Sequence, residues 1–483
     1  MVFFGVSMNK WTVNRAWSLV ALGLGLLSQA TAQAQSWERL VAPGLTYRME
    51  VDLGLPRVIH ALRYTPGVGN ISSRPELAGG AVFVPDDATK GREAVTATMA
   101  RTEALAGINA DFFPWTGDPL GAMVRNGEII STPYKGRSVF AWGNKYSFSG
   151  VVEARGFFTD GITRINLQGV NEECLTNSAV LFTSAAGMAV AKEASLHAVL
   201  EPTGPLQMGK KVTAKIRELV PGVNRVAVEQ GTMVLTAHGD QAALLSQIGR
   251  GGNVEFQVDF TGLDAAKTTH IIAGGPLLVS NGKLNVNNVA EKFSADFTTK
   301  RHPRTAIGAT KEGDIWLVVI DGRQLMSRGA TLEEVGLIMQ RLGCVHAINL
   351  DGGGSSTLAL TGMVVNRPSD GTERPVSNGV FLFGELPAQP VDANLVIKGV
   401  PRLNQGESAT FAVINSRGER LPQRDVIWSA QGAAWIDQAG VLRAHANGKA
   451  TITAWVSGVK VSVEITVDAV APTPPANSGG GRN

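Results

Sequence analysis

One segment, residues 305–356, constrains the fold of this chain more than any other. Two apolar runs, Thr305–Thr310 and Ile315–Ile320, flank a short turn and predict a β-hairpin. A helix then begins at a capping box, Thr331-Leu-Glu-Glu334, and carries apolar residues along one face. A further strand, Val345–Leu350, ends in an aspartate followed by three glycines. Strand, helix and strand therefore follow one another, which predicts a domain of mixed secondary structure.

Acidic residues stand at the ends of these strands. Asp321 follows the second strand of the hairpin, and Asp351 follows the later strand. Carboxylates at the C-terminal edges of neighbouring strands are well placed to line a common cleft. Asp111 lies inside an apolar segment, Ile108–Phe113, where a carboxylate costs free energy unless it is hydrogen-bonded. These three aspartates are the catalytic candidates, and a satisfied strand-end network is the alternative for Asp111.

The loop after Asp351 has the composition of an anion-binding site, because glycines let backbone amides turn toward a ligand and hydroxyls add donors. Its members are Gly352, Gly353, Gly354, Ser355 and Ser356. It lacks the P-loop pattern, so nucleotide hydrolysis is not implied, and a tight β-turn is the alternative. Three arginines near strand ends could together clamp a phosphate or a carboxylate. They are Arg304, Arg323 and Arg367.

Other classes of function find little support. There is no His/Cys cluster at metal-ligand spacing, so neither a metal nor another cofactor is expected. The Gly-x-Ser-x-Gly elbow of α/β-hydrolases is also absent. The formal charge is +3 with no basic block, which argues against nucleic acid as a partner. Cys174 and Cys344 are compatible with a disulfide or with two buried thiols.

The N-terminal residues have the pattern of a secretory signal peptide. Lys10 and Arg15 form a positive start, and the apolar stretch Ala16–Leu27 is shorter than the roughly 20 residues that a spanning helix needs. Ala32-Gln-Ala34 then offers the small residues that signal peptidase recognises. We therefore expect a signal peptide over residues 1–34, cleavage near Ala34 and a secreted or periplasmic protein without a membrane span.

Amino-acid composition and strand pattern divide the rest of the chain into three parts. Residues 36–386 contain glycine-punctuated strands with a few helices, and we expect an α+β domain with a mixed sheet. Pro387–Pro390 marks a linker. The pattern of residues 391–468 indicates short alternating strands, which predicts an all-β sandwich. Residues 469–483, rich in Pro, Gly and Ser, predict a disordered tail.

Six motifs occur in order between residues 90 and 384: GINADFF, IIAGGPLLV, RHPRTAIG, VVIDGRQ, INLDGGGSSTL and NRPSDGTERPVSNG. Together they resemble the phosphodiester glycosidase family. The resemblance implies hydrolysis of a sugar-1-phosphate diester, on a cell-surface or extracellular glycan for an exported member. The residues onto which the family motifs map are Asn109, Asp111, Arg304, Asp321, Arg323, Asn349, Asp351, Gly352, Gly353, Ser355 and Asn366.

A second resemblance concerns the C-terminal sandwich. The segment Gly448–Ala454 resembles bacterial immunoglobulin-like (group 2) domains. Such a domain implies a spacer that can be removed without loss of catalysis, or a module that contacts surface polysaccharide.

The residue types suit glycosyl-phosphate hydrolysis. The transition state resembles an oxocarbenium ion, and a carboxylate can attack it or activate a water. The leaving phosphomonoester has a second pKa of about 6 and departs readily as an anion, aided by arginines and loop amides. Asp351 and Asp111 are candidates for nucleophile or base in either order. The competing hypothesis is a non-catalytic surface protein that binds anionic glycans through the same arginines.

Overall fold

A computed structural model describes residues 34–83, 91–114, 118–134, 136–386 and 392–469. The predicted signal segment up to residue 33, the linker Pro387–Pro390 and the tail from residue 470 lie outside the described residues. Within the described ranges, no helix has both the length and the apolar character to cross a membrane. We refer to residues 34–386 as the first region and to residues 392–469 as the C-terminal region.

Most of the regular structure is β-strand. The strands from the start of the first region are β1 Gln35–Ala42, β2 Leu45–Asp52, β3 Arg57–Tyr64, β4 Ser72–Leu77, β5 Ala106–Asn109, β6 Met123–Arg125, β7 Glu128–Ser131, β8 Ser138–Gly143 and β9 Tyr146–Val151. Those that follow are β10 Glu153–Thr159, β11 Arg164–Leu167, β12 Gly169–Val170, β13 Ala179–Phe182, β14 Met188–Pro202, β15 Val212–Ala227, β16 Met233–Ala237 and β17 Asn253–Thr261. The region ends with β18 His270–Ala273, β19 Leu277–Ser280, β20 Lys283–Leu284, β21 Arg304–Thr310, β22 Ile315–Ile320, β23 Cys344–Asn349, β24 Leu358–Leu360, β25 Met363–Val364 and β26 Asn378–Phe383.

The C-terminal region continues with β27 Val396–Lys398, β28 Arg402–Asn404, β29 Ser408–Thr410, β30 Ala412–Ile414, β31 Ile427–Gly432, β32 Ala434–Ile436, β33 Val441–Ala444, β34 Gly448–Val456 and β35 Val459–Asp468. The α-helices of the described residues are α1 Val95–Thr102, α2 Asp240–Ile248, α3 Ala295–Thr299 and α4 Leu332–Arg341. Single 3₁₀ turns lie at Ala78–Gly80, Ser184–Ala186, Gly353–Ser355 and Gln423–Asp425. Because these helices are short, the molecule is mostly β-sheet, and the α+β class stays a prediction.

The hairpin, helix and strand expected from the sequence form the centre of the molecule. β21 and β22 pair antiparallel, and the capping box of α4 is present, with the Thr331 side chain accepting from the Glu334 amide. β21 also pairs antiparallel with β23 on its other side. Since both neighbours run opposite to β21, their C-terminal ends and the start of β21 lie at one edge of the sheet.

The central sheet has eight strands in the order β1-β2-β3-β22-β21-β23-β19-β20. One face shares a core with the five-stranded sheet β25-β24-β5-β26-β4, through side chains such as Leu317 from the first and Ile108 from the second. The other face is covered by α4, whose Val335 and Met339 pack with Val318. The end of β5 is thereby brought to the sheet edge where β22 and β23 end.

A second pair of sheets forms the rest of the first region. It consists of the eight-stranded β11-β10-β17-β15-β14-β16-β13-β12 and the five-stranded β7-β6-β18-β8-β9, which share one core. Side-chain burial alternates along β17, as expected for a strand with one face in a core. Cys174 and Cys344 are both buried and free, and burial raises the pKa of each thiol. The buried-thiol alternative therefore describes these two residues.

The C-terminal region forms a four-stranded sheet β28-β35-β34-β31, a three-stranded sheet β29-β33-β32 and the pair β27-β30. Trp428, which is fully buried, lies in a core of its own region. The assignment to the bacterial immunoglobulin-like group stays a prediction.

The two regions also share packing. Three side chains of the C-terminal region belong to the main core of the first region: Ile427, Trp435 and Trp455. Arg39 on β1 is 7% exposed and donates hydrogen bonds to the carbonyls of Val426 (3.1 Å) and Gln438 (2.6 Å). A spacer that is separable from the first region does not account for this continuous interface.

Candidate active site

Two aspartates meet where the ends of β5 and β23 approach each other. The amide of Asp351 donates to the carbonyl of Ala110 (2.8 Å), and the Asn109 side chain donates to the carbonyl of Asp351 (2.7 Å). Asp111, the residue after Ala110, therefore lies beside Asp351 although 240 positions separate them in the sequence. The structure brings these two sequence-predicted carboxylates together.

Asp111 is buried, with 3% of its surface exposed. Its carboxylate accepts hydrogen bonds from the amides of Phe112 (2.8 Å) and Gly121 (2.7 Å). Burial raises the pKa of Asp111 to about 7, and the negative charge of Asp351 acts in the same direction. The two amides and the nearby Arg137 oppose this shift, because they favour the charged form.

Asp351 lies at the start of the glycine-rich loop, where its carboxylate accepts from the Ser355 hydroxyl and the Gly352 amide. Burial raises the pKa of Asp351 to about 6, while these hydrogen bonds and the charge of Arg374 lower it. The charge of Asp351 thus contributes to the raised pKa of Asp111, with burial as the larger cause. Near neutral pH the pair can hold one proton, which gives the site both an acid and a base.

The loop after Asp351 differs from the predicted anion-binding loop. Three of its amides donate within the protein: Gly353 to Pro303 (2.9 Å), Ser355 to Gly352 (3.2 Å) and Ser356 to Gly353 (3.3 Å). The last two bonds belong to the short 3₁₀ turn Gly353–Ser355 and the first ties the loop to Pro303, so these three amides are already used within the protein.

The glycines serve instead to let guanidinium groups approach the backbone. Gly353 has φ +63°, a conformation that favours glycine, and a Cβ there would lie 3.3 Å from Arg323 Nη2. At Gly354 a Cβ would lie 2.1 Å from Arg374 Nη2. Any side chain at Gly354 would displace that arginine.

Arg374 was not among the sequence-predicted site residues, although it lies within the last of the six motifs. Its guanidinium pairs with Asp370 (Nε to Oδ2, 3.0 Å) and reaches the Ser355 hydroxyl (3.5 Å). The preceding residue, Glu373, accepts from both the amide and the hydroxyl of Thr96 in the first turn of α1 (2.8 and 2.6 Å). Helix α1 therefore fixes the segment that carries Arg374.

The predicted clamp of three arginines does not form. Arg304 is 1% exposed, stacks on Phe297 and donates to the carbonyls of Ala330 (3.0 Å), Phe297 (2.6 Å) and Lys300 (3.0 Å). Burial, with a further effect of Arg323, lowers its pKa to about 10. Its backbone partners tie together the segments around α3 and α4.

Arg367 and Arg323 also differ from each other. Arg367 donates to Gln324 (3.2 Å) and to the carbonyl of Gly432 in the C-terminal region (2.7 Å), so it belongs to the interface. Arg323 is exposed, and its Nη2 lies 3.4 Å from Nδ1 of His302. Of the three arginines, Arg323 alone is exposed to solvent.

Asp321 lies in a buried hydrogen-bond network of its own. It is 1% exposed, and its Oδ1 accepts from the amide of Arg367 (2.9 Å) and the side chain of Asn366 (3.3 Å). Its Oδ2 lies 3.3 Å from Nε2 of His60, whose Nδ1 is 2.8 Å from the Tyr47 hydroxyl. Both carboxylate oxygens of Asp321 are therefore engaged in contacts that hold neighbouring segments together.

The predicted asparagines are buried as well and organise the backbone. Asn109 accepts from Thr305 (2.9 Å) and the Thr357 amide (3.1 Å). Asn349 donates to the carbonyls of Gly275 (2.8 Å) and Leu350 (2.7 Å). Two further residues are tied to the same elements: Asn366 accepts from the Leu358 amide, and Ser356 accepts from Thr305. They position the strands and the loop that hold the aspartates.

No group of three or more His, Cys, Asp or Glu side chains in the described ranges is arranged to hold a metal ion. A cavity of about 730 Å³ lies elsewhere, between β1 and the C-terminal region, with Arg39, Asp425 and Trp455 in its lining. Neither Asp111 nor Asp351 lines this cavity. The cavity is therefore separate from the site of the two carboxyl groups.

Residues 208–383 match the family model described as phosphodiester glycosidase. The chain therefore contains a phosphodiester glycosidase domain. This confirms the resemblance predicted from the six motifs. The match includes Asp351, the glycine-rich loop, Arg323 and Arg374, whereas Asp111 lies before it and joins the site through the fold.

Curated relatives match over short stretches. YomE, an uncharacterized SPbeta prophage-derived protein of Bacillus subtilis, is 44% identical over 82 residues, which are 17% of this chain and 13% of the relative. The N-acetylglucosamine-1-phosphodiester alpha-N-acetylglucosaminidases of mouse and human are each 34% identical over 110 residues, 21% of this chain and 21% of theirs. The chain thus spans about a fifth or less of the curated relatives it matches.

Two solved structures have a similar fold. A hypothetical protein from Synechocystis aligns with TM-score 0.58 and 23% identity, covering 71% of this chain and 62% of that one. A Burkholderia pseudomallei protein, named as exported, aligns with TM-score 0.57 and 18% identity, covering 77% of this chain and 100% of that one. At these identities the likeness concerns the fold of the phosphodiester glycosidase domain and its surroundings.

Proposed function

We propose that this protein is a hydrolase that cleaves the bond between the anomeric carbon of a sugar and the phosphate of a phosphodiester. The observation that carries the proposal is the pair Asp111 and Asp351, two buried carboxyl groups whose pKa values are raised to about 7 and about 6. Most glycoside hydrolases use two carboxyl groups that flank the bond to be broken. The phosphodiester glycosidase domain supports the phosphate as the leaving group.

In the reaction, the bond between the anomeric carbon and the phosphate oxygen breaks, and its electron pair leaves with the phosphate. The oxygen of a water molecule forms the new bond to the anomeric carbon, directly or after a glycosyl-enzyme intermediate. The ionised carboxylate of the pair accepts the proton of that water or forms the intermediate. The products are the free sugar and a phosphomonoester.

Positive charge around the pair favours an anionic substrate. Arg323 and Arg374 lie over the glycine-rich loop beside Asp351, and Arg137 lies near Asp111. Fixed cations that stabilise charge on a departing group act most strongly where water is excluded. A phosphodiester carries this charge, whereas an ordinary glycoside does not.

We further propose that the protein acts after export, on a cell-surface or extracellular glycan. Two observations support this location: the signal-like composition before residue 35 and the exported name of the Burkholderia pseudomallei protein with a similar fold. The C-terminal region would then contact surface polysaccharide while also supporting the first region.

The test is hydrolysis of p-nitrophenyl N-acetylglucosaminyl phosphate, followed by a panel of other sugar-1-phosphate diesters. Cleavage at the anomeric carbon releases the free sugar and p-nitrophenyl phosphate, whereas cleavage at phosphorus releases the sugar phosphate and p-nitrophenol. In ¹⁸O-labelled water, the label should enter the sugar hydroxyl and not the phosphate. A protein that binds these diesters without turnover would instead support the non-catalytic glycan-binding hypothesis.

The matched control is Asp437→Asn. Asp437 is another buried aspartate, 5% exposed, and burial raises its pKa as well. It lies in the C-terminal region, where it accepts from the amides of Ala439 and Val441. Activity should survive this substitution and be lost when both Asp111 and Asp351 become Asn.

A further inference from the structure

Arg137 has an unusual environment beside the carboxylate pair. It immediately precedes β8, and its guanidinium carbon lies 3.8 Å from the ring centroid of Phe293 and 5.4 Å from that of Phe112. The Phe112 and Phe293 rings contact each other at 5.6 Å. Since Phe112 directly follows Asp111, this aromatic platform holds the guanidinium next to that carboxyl group. Stacking on aromatic faces orients an arginine while leaving its edge available to an anion.

The hydrogen bonds of Arg137 are incomplete. Among the described residues, its side chain has no acceptor within hydrogen-bond distance and no carboxylate within 4 Å, and its Nη1 is buried without a partner. Asp111 and Glu291 are the acidic groups that act on it through charge. Glu291 is already used, because it accepts from Ser138 and from the Leu277 amide.

This feature distinguishes Arg137 from Arg304 and Arg374. The donors of Arg304 are taken by backbone carbonyls, and those of Arg374 are directed at Asp370 and Ser355. A buried donor without an acceptor is destabilising, so an anion that supplies the acceptor is favoured. The planar fork of a guanidinium matches two oxygens of a phosphate.

We propose that Arg137 binds the phosphoryl group of the substrate on the Asp111 side of the carboxylate pair. This inference rests on the proposed function, and it assigns a separate role to each of the two aspartates. Asp111, next to the phosphate, transfers its proton to the oxygen that leaves the anomeric carbon. Asp351, on the other side, acts at the anomeric carbon as nucleophile or as base for water. The phosphomonoester departs with the electron pair of the broken bond and remains on Arg137 until it is released.

The experiment measures the affinity of inorganic phosphate by isothermal titration calorimetry, which does not depend on turnover. Arg137→Ala should weaken phosphate binding at least tenfold, and Arg137→Lys should retain part of it because the charge remains. Arg164→Ala is the matched control: Arg164 stacks on Phe157 at 4.0 Å on the distant β10–β11 hairpin and should leave the affinity unchanged.

Equal phosphate affinity in the wild type and Arg137→Ala, or no phosphate binding by the wild type, would overturn the proposal. Arg137→Gln, which keeps a polar side chain over Phe293, serves if the alanine variant does not fold. Because phosphate binding is measured without a diester, its outcome separates the role of Arg137 from the proposed hydrolysis.

Discussion

Asp321 and Asp351 occupy matching places in the central sheet, each just after a strand that flanks β21, yet their surroundings differ. The oxygens of Asp321 are hydrogen-bonded by Asn366 and Arg367 and face His60. Asp351 accepts from Ser355 and Gly352, and it lies beside a second carboxyl group. The contacts of Asp321 hold neighbouring segments together, whereas the raised pKa values of Asp351 and Asp111 suit proton transfer.

The sharpest way to break this comparison is Asp351→Asn. We expect the rate of diester hydrolysis to fall about a thousandfold or more, equivalent to about 4 kcal/mol of transition-state stabilisation. The amide cannot act as nucleophile or base, while its similar shape should preserve the fold. Steady-state kinetics and thermal melting measure the two effects, with Asp437→Asn as control. A folded Asn variant with near-wild-type turnover would remove Asp351 from the reaction.

Asp321→Asn should have the opposite balance. An asparagine has one oxygen and one NH₂ group, so it replaces one of the two accepting oxygens, either the one that Asn366 and Arg367 donate to or the one beside His60. We therefore expect a loss of about 1–3 kcal/mol in the free energy of unfolding. Turnover of the folded fraction should change only a few-fold. Urea denaturation and active-site-normalised kinetics test this. A stable but inactive variant would restore the catalytic role that its strand-end position predicted.

The pH dependence of activity and of stability tests the roles of Asp111 and Asp351. Burial raises the pKa of Asp111 to about 7 and that of Asp351 to about 6, so kcat/KM should peak between these values and fall on either side. Between about pH 4 and 7 the folded state binds more protons at these groups than the unfolded state does. Their contribution therefore makes the protein less stable as pH rises through this range.

Urea denaturation at a series of pH values, for the wild type and Asp111→Asn, isolates this effect. The substitution should reduce the loss of stability with rising pH. If the wild type and the variant have the same pH dependence of unfolding, the pKa of Asp111 is not raised in the folded protein.

The smallest expected effect comes from the C-terminal region. Gln431 donates to the carbonyls of Val364 (3.2 Å) and Asn366 (2.9 Å), on the segment that hydrogen-bonds Asp321. Gln431→Ala should cost about 1 kcal/mol in stability and lower turnover a few-fold. Gln405→Ala is the control, because Gln405 bonds to His445 within its own region. An effect on turnover equal to that of the control would mean that the C-terminal region does not support the site.

Local sequence patterns predicted the central elements well. The β21–β22 hairpin, the capping box of α4 and β23 were all identified because turns, caps and apolar periodicity act between residues close in sequence. The proximity of Asp111 to Asp351 followed less directly, since it depends on how β5 packs near the central sheet.

Burial and distant partners explain what the sequence could not predict. Arg304 and Arg323 both stand at strand ends, but only the structure distinguishes the buried guanidinium from the exposed one. The position of Arg137 depends on its stacking against Phe293, which lies more than 150 positions away in the sequence. Arg374 lies within the last motif, but its importance depends on contacts with Asp370 and Ser355 that the motif alone does not indicate.

The hydrogen bonds of Arg39 join the beginning of the described chain to residues nearly 400 positions later. Contacts of such long sequence separation are entropically costly to close and slow the folding of a domain. The segment around Asn366 is also held by the C-terminal region, through the hydrogen bond from Gln431. During synthesis this interface can therefore close only after residues up to about Gln438 have been made.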